Sequence, residues 1–332
     1  MTKPRRATFV AVLLLLPLLA VVAACTTIER PRHPRPPLPL PPELVARYAL
    51  PGPVEAGALA PIGGVHDSDF YRGTLRCGPE EIDFHYLLPK PTTRHPLVVL
   101  LPILGGGEEL LWLFAGALVP KGYAVAWARR VGAPLRPGQR SEDLEVMFRR
   151  TVVQHRALLD WARDQPEIDA DHTYLIGMST GGIVGGVMTA LEPDLRGSVL
   201  ILAGGDLSDL LAVSAERRAV LWRAHRFVTD GLGDSGLRRE LATHLVSDPA
   251  RVGAFVDTDR VMLVDARFDE VVPPRNQELL WESLGRPDRI RLPLGHYTAI
   301  LALGPIATRA HEFFVSRAGA LVRAREVAGR DQ

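Results

Sequence analysis

The chain has 332 residues, 47% of them hydrophobic and 23% charged, which excludes a disordered chain and suits one large α/β domain or two small ones around a sizeable core. Thirty-nine basic side chains stand against thirty-eight acidic ones, so bulk charge excludes a nucleic-acid-binding protein. With 30 glycines and 28 prolines the chain is turn-rich without being low in complexity.

At the start, Lys3, Arg5 and Arg6 precede an uncharged run from Ala7 to Ala24, the basic and apolar regions of an export signal. The run is long enough to raise a membrane span, but Pro17 interrupts it and small residues close it at Ala23, Ala24 and Cys25. Val22-Ala23-Ala24-Cys25 resembles the bacterial lipobox, in which the signal is cut before the cysteine and the sulfur carries a diacylglycerol. The resemblance implies a lipoprotein signal peptide over 1–24, lipid attachment at Cys25 and an exported, membrane-anchored protein. The membrane would be the outer membrane, facing the periplasm, or the plasma membrane at its outer face. Nine prolines fall between residues 31 and 54, too many for a helix or a central strand. Residues 25–64 are therefore expected to be an extended tether, and 65–325 a single folded domain. Cys77 then has no disulfide partner, and its place in a strand-like stretch suits a buried structural thiol.

Gly73–Cys77 and Ile82–Leu87 read as a leading pair of strands joined at Gly78-Pro79. Leu97–Leu101 is a continuous apolar run of the kind expected of a strand buried on both faces. A glycine triplet at 105–107 and a helix near 108–119 follow, then a strand at Tyr123–Trp127. Ser141 is placed to cap a long helix whose Leu144, Phe148, Val152 and Leu159 share one face. Further strands are expected at Tyr174–Ile176, Ser198–Leu202, Arg260–Val264 and Arg289–Leu294, with helices at 277–284 and about 297–317. The alternation predicts a mostly parallel, doubly wound sheet. Residues 205–258 break it: they hold helical runs near 207–227 and 237–246 and no strand signal, and read as a helical cap over the sheet. In that cap Leu210, Leu211, Val213, Leu221, Trp222 and Phe227 are expected to form an apolar ceiling, with Arg217, Arg218, Arg223 and Arg226 mostly solvated.

Gly177-Met178-Ser179-Thr180-Gly181 is a GxSxG set between a strand and a small-residue helix start. The turn is so tight that positions two residues from the serine must lack side chains, and it lifts the hydroxyl above the sheet edge. Here the chain resembles the α/β-hydrolase superfamily, from about residue 70 to 318. The elbow, Asp269-Glu270-Val271-Val272-Pro273 and Gly295-His296-Tyr297 are most similar to its serine esterase and peptidase branch, which includes dienelactone-hydrolase-like and prolyl-oligopeptidase-like enzymes.

A serine needs a base and an orienting acid, in the chain order Ser, acid, His that this fold imposes. His296, just after the last strand, is the expected base; His66, His155 and His172 precede Ser179 and violate the order. Asp269 matches the family's acid, with Asp265 and Asp206 as alternatives. The oxyanion donors are expected to be the amides of Thr180 and of Leu104, or of Gly105 next to it, because the loop lacks the usual His-Gly opening. Gly233-Asp234-Ser235-Gly236 resembles a chymotrypsin-type nucleophile segment but lies in the helical excursion with its partners in the wrong order, and reads as a turn. The glycine triplet lacks a following Lys-Ser/Thr, and no metal motif or cofactor fingerprint is present. The resemblance implies a lipid-anchored serine hydrolase that cleaves a small-molecule ester or related acyl bond without cofactor. A peptidase of the same fold, or a catalytically silent envelope lipoprotein, stands as the alternative.

Overall fold

The computed structural model describes residues 26–30, 36–65, 67–90, 94–129 and 134–328; the expected signal segment and Cys25 lie outside them. Its strands are β1 (Thr27–Glu29), β2 (Val54–Val65), β3 (Ser68–Cys77), β4 (Glu80–Pro89), β5 (His95–Leu101), β6 (Ala124–Ala128), β7 (Ile168–Met178), β8 (Gly197–Ile201), β9 (Val261–Ala266) and β10 (Asp288–Leu292). They form one sheet in the order β1-β10-β9-β8-β7-β5-β6-β4-β3-β2. From β5 to β10 the pairings are parallel. At one edge β4, β3 and β2 join antiparallel, and at the other β1 runs antiparallel to β10.

The helices are α1 (Pro42–Arg47), α2 (Glu109–Leu118), α3 (Ser141–Arg163), α4 (Thr180–Leu191), α5 (Leu207–Val213), α6 (Arg217–Thr229), α7 (Asp234–His244), α8 (Pro249–Val252), α9 (Pro274–Ser283) and α10 (Leu303–Ala328). Strand alternation divides the core in two. Leu97, Val99 and Leu101 of β5 face Phe148 of α3 and Val187 of α4, whereas Val98 and Leu100 belong with Phe114 of α2 and Phe314 of α10. The expected face of α3, with Leu144, Phe148, Val152 and Leu159, is buried in the first of these layers. Its start differs by one residue: Arg140 is the cap, its N–H donating to Asp143 at 2.8 Å, while the Ser141 hydroxyl donates to Glu240 of α7 at 2.7 Å.

The tether expectation is corrected over most of its length. Residues 54–65 are not spacer but β2, laddered onto β3, and residues 27–29 are β1, laddered onto β10. Between them Tyr48 is fully buried and its hydroxyl bonds Ser247 at 2.7 Å, Arg47 pairs with Glu145 at 2.6 Å, and the Leu38 amide donates to the Ala254 carbonyl. Two of the described prolines show how this is compatible with proline: Pro42 opens α1 and Pro61 lies on the outermost strand, positions where proline is tolerated. Cys77 is buried, its thiol donating to the Gly52 carbonyl.

From β5 the chain crosses to β6 on one side and returns to β7 on the other. Loops that leave the carboxyl ends of two such neighbours in opposite directions open a crevice between them. Residues 205–258 contain α5 to α8 and no strand, as expected. They are tied to the loop after β9 by the Ser214 hydroxyl on the Val271 carbonyl, 2.7 Å, and the Ala215 amide on the Glu270 carbonyl, 2.9 Å. Among the described residues no helix is long and apolar enough to cross a membrane.

Candidate active site

At the end of β7 the chain turns directly into α4, and the geometry leaves glycine as the only choice on either side of the serine. A Cβ on Gly177 would lie 2.2 Å from the Gly181 carbonyl oxygen, and one on Gly181 would lie 2.4 Å from the Leu101 carbonyl oxygen. Ser179 itself takes φ 55° and ψ −120°, a region that costs a non-glycine residue on the order of 1–3 kcal/mol. Its amide is held by the Ile201 carbonyl at 2.8 Å, so β8 supports the strained turn.

The opposite wall is a zipped pair of loops. Beyond the β9–β10 ladder, the Arg267 amide donates to the Leu292 carbonyl at 2.9 Å and the Phe268 amide to the Leu294 carbonyl at 3.0 Å. This extension brings Asp269 beside His296. Asp269 is buried; one carboxylate oxygen accepts the amides of Val271 and Val272, both at 2.8 Å, and the other lies 2.8 Å from His296 Nδ1. His296 Nε2 is 3.1 Å from Ser179 Oγ. The three side chains expected from the sequence are thus one hydrogen-bonded chain. With both Asp269 oxygens accepting, His296 carries its proton on Nδ1 and offers Nε2 as an acceptor to the hydroxyl.

The alternative acids are occupied elsewhere. Asp265 is buried against Arg289 at 2.6 Å, and burial holds its carboxyl above the usual range although the guanidinium pulls it down. Asp206 caps α5, accepting the Asp209 amide. His311 hydrogen-bonds Tyr123 on the other face of the sheet. Ser235 is exposed at the start of α7, so the GDSG segment opens a helix instead of forming a free turn.

Ser179 and His296 border a cavity of about 320 Å³, at the low end of ligand-site volumes. Thr180, the first residue of α4, and the loop residues Ile103, Leu104 and Gly105 share its lining. That loop is a tight turn closed by the Gly106 amide on the Ile103 carbonyl at 2.9 Å, with Gly106 at φ 68°. The expected donor segments therefore border the same space as the hydroxyl. The remaining wall is largely apolar, with Phe148 of α3, Met178, Leu202, Val271, and Leu207, Leu210 and Leu211 of α5.

The cap segment does reach the site, but not through all the residues expected. Trp222 is fully buried away from the cavity lining, its indole N–H donating to the Gln139 carbonyl at 2.8 Å. Val213, Leu221 and Phe227 are also outside the lining. Of the arginines read as solvated, Arg226 is buried between Asp230 and Glu240, and Arg223 donates to the Leu211 and Ser214 carbonyls. Among the lining residues that the sequence did not point to are Met147 of α3 and Arg218 of α6. Among the described residues no three His, Cys, Asp or Glu side chains converge as a metal site would require.

No protein-family model matches the chain. Among curated proteins it is 32% identical over 62 residues to an uncharacterized protein, YdjC, of Bacillus subtilis strain 168, a match covering 19% of this chain. The chain spans about half the length (53%) of that relative. Solved structures align far more widely. Acetyl xylan esterase 1 of Thermoanaerobacterium sp. JW/SL YS485 has a TM-score of 0.62 at 17% identity, over 84% of this chain and 95% of that one. The chain has the α/β-hydrolase fold. An acetyl xylan esterase of Paenibacillus sp. R4 superposes at a TM-score of 0.54 and 14% identity, over 76% of this chain and 86% of its own. A cold-adapted esterase from an Arctic intertidal metagenomic library gives 0.52 and 16%, over 76% of this chain and 99% of its own. These likenesses concern the fold, and within this fold Ser179 stands at the elbow after the strand beside the switch in strand order.

Proposed function

We propose that the protein is a serine hydrolase that cleaves an ester or related acyl bond through a covalent acyl-enzyme, with Ser179 as nucleophile, His296 as base and Asp269 as orienting acid. The observation that carries this reading is the unbroken run from Asp269 through His296 to Ser179 at 2.8 and 3.1 Å on the rim of an apolar cavity. His296 Nε2 takes the hydroxyl proton as Ser179 Oγ bonds to the substrate carbonyl carbon. Negative charge then develops on the carbonyl oxygen, where the amides of Thr180 and Leu104, or Gly105 beside it, are the proposed donors. His296 returns the proton to the departing alcohol as the carbon–oxygen bond breaks. Water, deprotonated by the same Nε2, releases the acid and restores Ser179. Asp269 stays ionised throughout, held in place by the two amides that bind its other oxygen.

The small, largely apolar cavity supports a compact ester over a polypeptide. The lining supplied by Leu207, Leu210 and Leu211 supports a role for the 205–258 segment in selecting the acyl or alcohol part. We further propose that the protein is exported and held at a membrane by a lipid on Cys25. Support for this comes from the basic start, the apolar run and the Val22-Ala23-Ala24-Cys25 sequence. Labelling with a fluorophosphonate probe, with 4-nitrophenyl acetate turnover measured in parallel, tests the catalytic reading. Wild-type protein should be labelled and active and Ser179→Ala neither; equal labelling or turnover in the variant would remove Ser179 from the role.

A further inference from the structure

Every buried or half-buried arginine around the cap has an acceptor, with one exception. Arg223 uses two carbonyls, Arg226 two carboxylates and Arg238 another two. Arg218, half-buried on the first turn of α6, lines the cavity beside Ser179 and His296. Its Nη1 is shut off from solvent with no hydrogen-bond partner among the described residues. Its Nη2 comes within 4.0 Å of the point where a Cβ on Gly105 would lie, so the guanidinium rests over the loop that borders the reacting hydroxyl. A methyl at 105 would sit in ordinary van der Waals contact with it. Glu216, the one acidic residue in the lining, is committed to the Ala219 amide at 2.9 Å and makes no ion pair with Arg218.

A guanidinium is always charged, and a donor shut away from water without an acceptor is destabilising, the more so on a charged group. Such a group in a largely apolar pocket is poised for an acceptor that arrives with the ligand. The planar fork of an arginine matches a carboxylate with two parallel hydrogen bonds. Resting on the catalytic reading above, we propose that Arg218 binds a carboxylate carried by the substrate, so that the preferred substrates are acidic esters, with the free carboxylate a short distance from the ester bond. The apolar walls then hold the connecting carbon skeleton, and the charge fixes which end of it faces Ser179.

Two matched pairs of esters test this: 4-acetoxybenzoate against its methyl ester, with the carboxylate on the alcohol side, and 4-nitrophenyl hydrogen adipate against its methyl ester, with it on the acyl side. Wild-type protein should favour the acid over the neutral partner in kcat/KM in at least one pair. Arg218→Gln should lower kcat/KM for that acid roughly ten- to hundred-fold, the size of a charged hydrogen bond. The loss for the neutral ester should be at least about fivefold smaller than the loss for the acid, and Arg218→Lys should restore part of the preference. Wild-type protein indifferent to the charge in both pairs, or an Arg218→Gln loss equal for acid and neutral ester, would overturn the proposal. Calorimetric binding of the same two acids to Ser179→Ala protein separates this from the catalytic reading. Binding abolished by adding Arg218→Gln supports the carboxylate site even if no ester is turned over, and binding unchanged by it refutes the site even if esters are cleaved.

Discussion

Replacing Asp269 with Asn separates the acid's chemical role from its structural one, because its two oxygens do different things. One oxygen accepts the Val271 and Val272 amides, each at 2.8 Å. An Asn side chain must turn its carbonyl oxygen toward those two donors, since its NH2 would face them donor to donor. The NH2 is thereby aimed at His296 Nδ1, which lies 2.8 Å from the present carboxylate. Nδ1 must then be the acceptor, so the imidazole proton moves to Nε2 and points at the Ser179 hydroxyl. The base is lost with every heavy atom in place. The expected fall in kcat for 4-nitrophenyl acetate is about 10⁴-fold, the size that the wrong tautomer costs a Ser-His-Asp triad. Stability should fall by about 1–3 kcal/mol, because two charge-assisted bonds become two neutral ones. Asp269→Ala strands both buried amides and should cost more. Stopped-flow turnover and a thermal melt on the same samples read both quantities. An Asp269→Asn enzyme within tenfold of wild type would refute the assignment of the acid and the tautomer argument together.

Asp265→Asn is the converse: it strips the buried Arg289 guanidinium of a carboxylate at 2.6 Å, so it should cost about 3–5 kcal/mol in a denaturant titration while kcat at a temperature where the protein is folded stays near wild type. Gly181→Ala places a methyl 2.4 Å from the Leu101 carbonyl oxygen and 2.8 Å from its carbon; because both are backbone atoms of a central strand, it should abolish soluble folded protein or fluorophosphonate labelling, and a labelled, stable variant would show the elbow to be less constrained than drawn. Trp222→Ala should lower stability by about 3–5 kcal/mol and leave the acyl-chain-length profile of kcat/KM unchanged, whereas Leu210→Ala, which enlarges the cavity wall, should shift that profile toward longer chains. Cys25→Ser should move the protein from membrane to soluble fractions at unchanged kcat; retention with membranes would favour an uncleaved apolar anchor at residues 7–24.

How much of this could be read from the residues follows from where the determining interactions lie. The central strands announce themselves because both faces are buried, so residues 97–101 and 199–202 are apolar without interruption. The elbow is equally legible, since the space around Gly177 and Gly181 admits no Cβ. His296 follows from chain order once the serine is fixed. The acid is only half legible: Asp265 lies at the end of β9 and Asp269 just beyond it, and what separates them is Arg289, a partner 24 positions beyond Asp265 that pairs with it in the core. Nothing in the local pattern marks Arg218 apart from Arg217, Arg223 and Arg226. The difference is whether a remote carboxylate or carbonyl meets the guanidinium, and α6 alone does not contain that information.

The edge strands were missed for a related reason, and their presence changes the anchored reading. β2, with the sequence VEAGALAPIGGV, lies almost wholly in solvent, so it has no buried face to impose an alternating pattern, and its ladder with β3 and the packing of Val54 on the core hold it. β1 is three residues long and is laddered onto β10 alone. A proline-rich composition was therefore the only local signal, and it favoured a spacer. With β1 paired, Thr26 alone separates Cys25 from a strand of the sheet. Thr27 lies opposite Arg291, and its hydroxyl accepts from Arg267, two residues before Asp269. A lipid on Cys25 would thus join the domain beside the carboxyl edge that carries Asp269 and His296, and not through some forty residues of flexible chain. Anchorage of that kind fixes the side of the molecule turned to the membrane, because a strand hydrogen-bonded into the sheet cannot swivel as a free tether does.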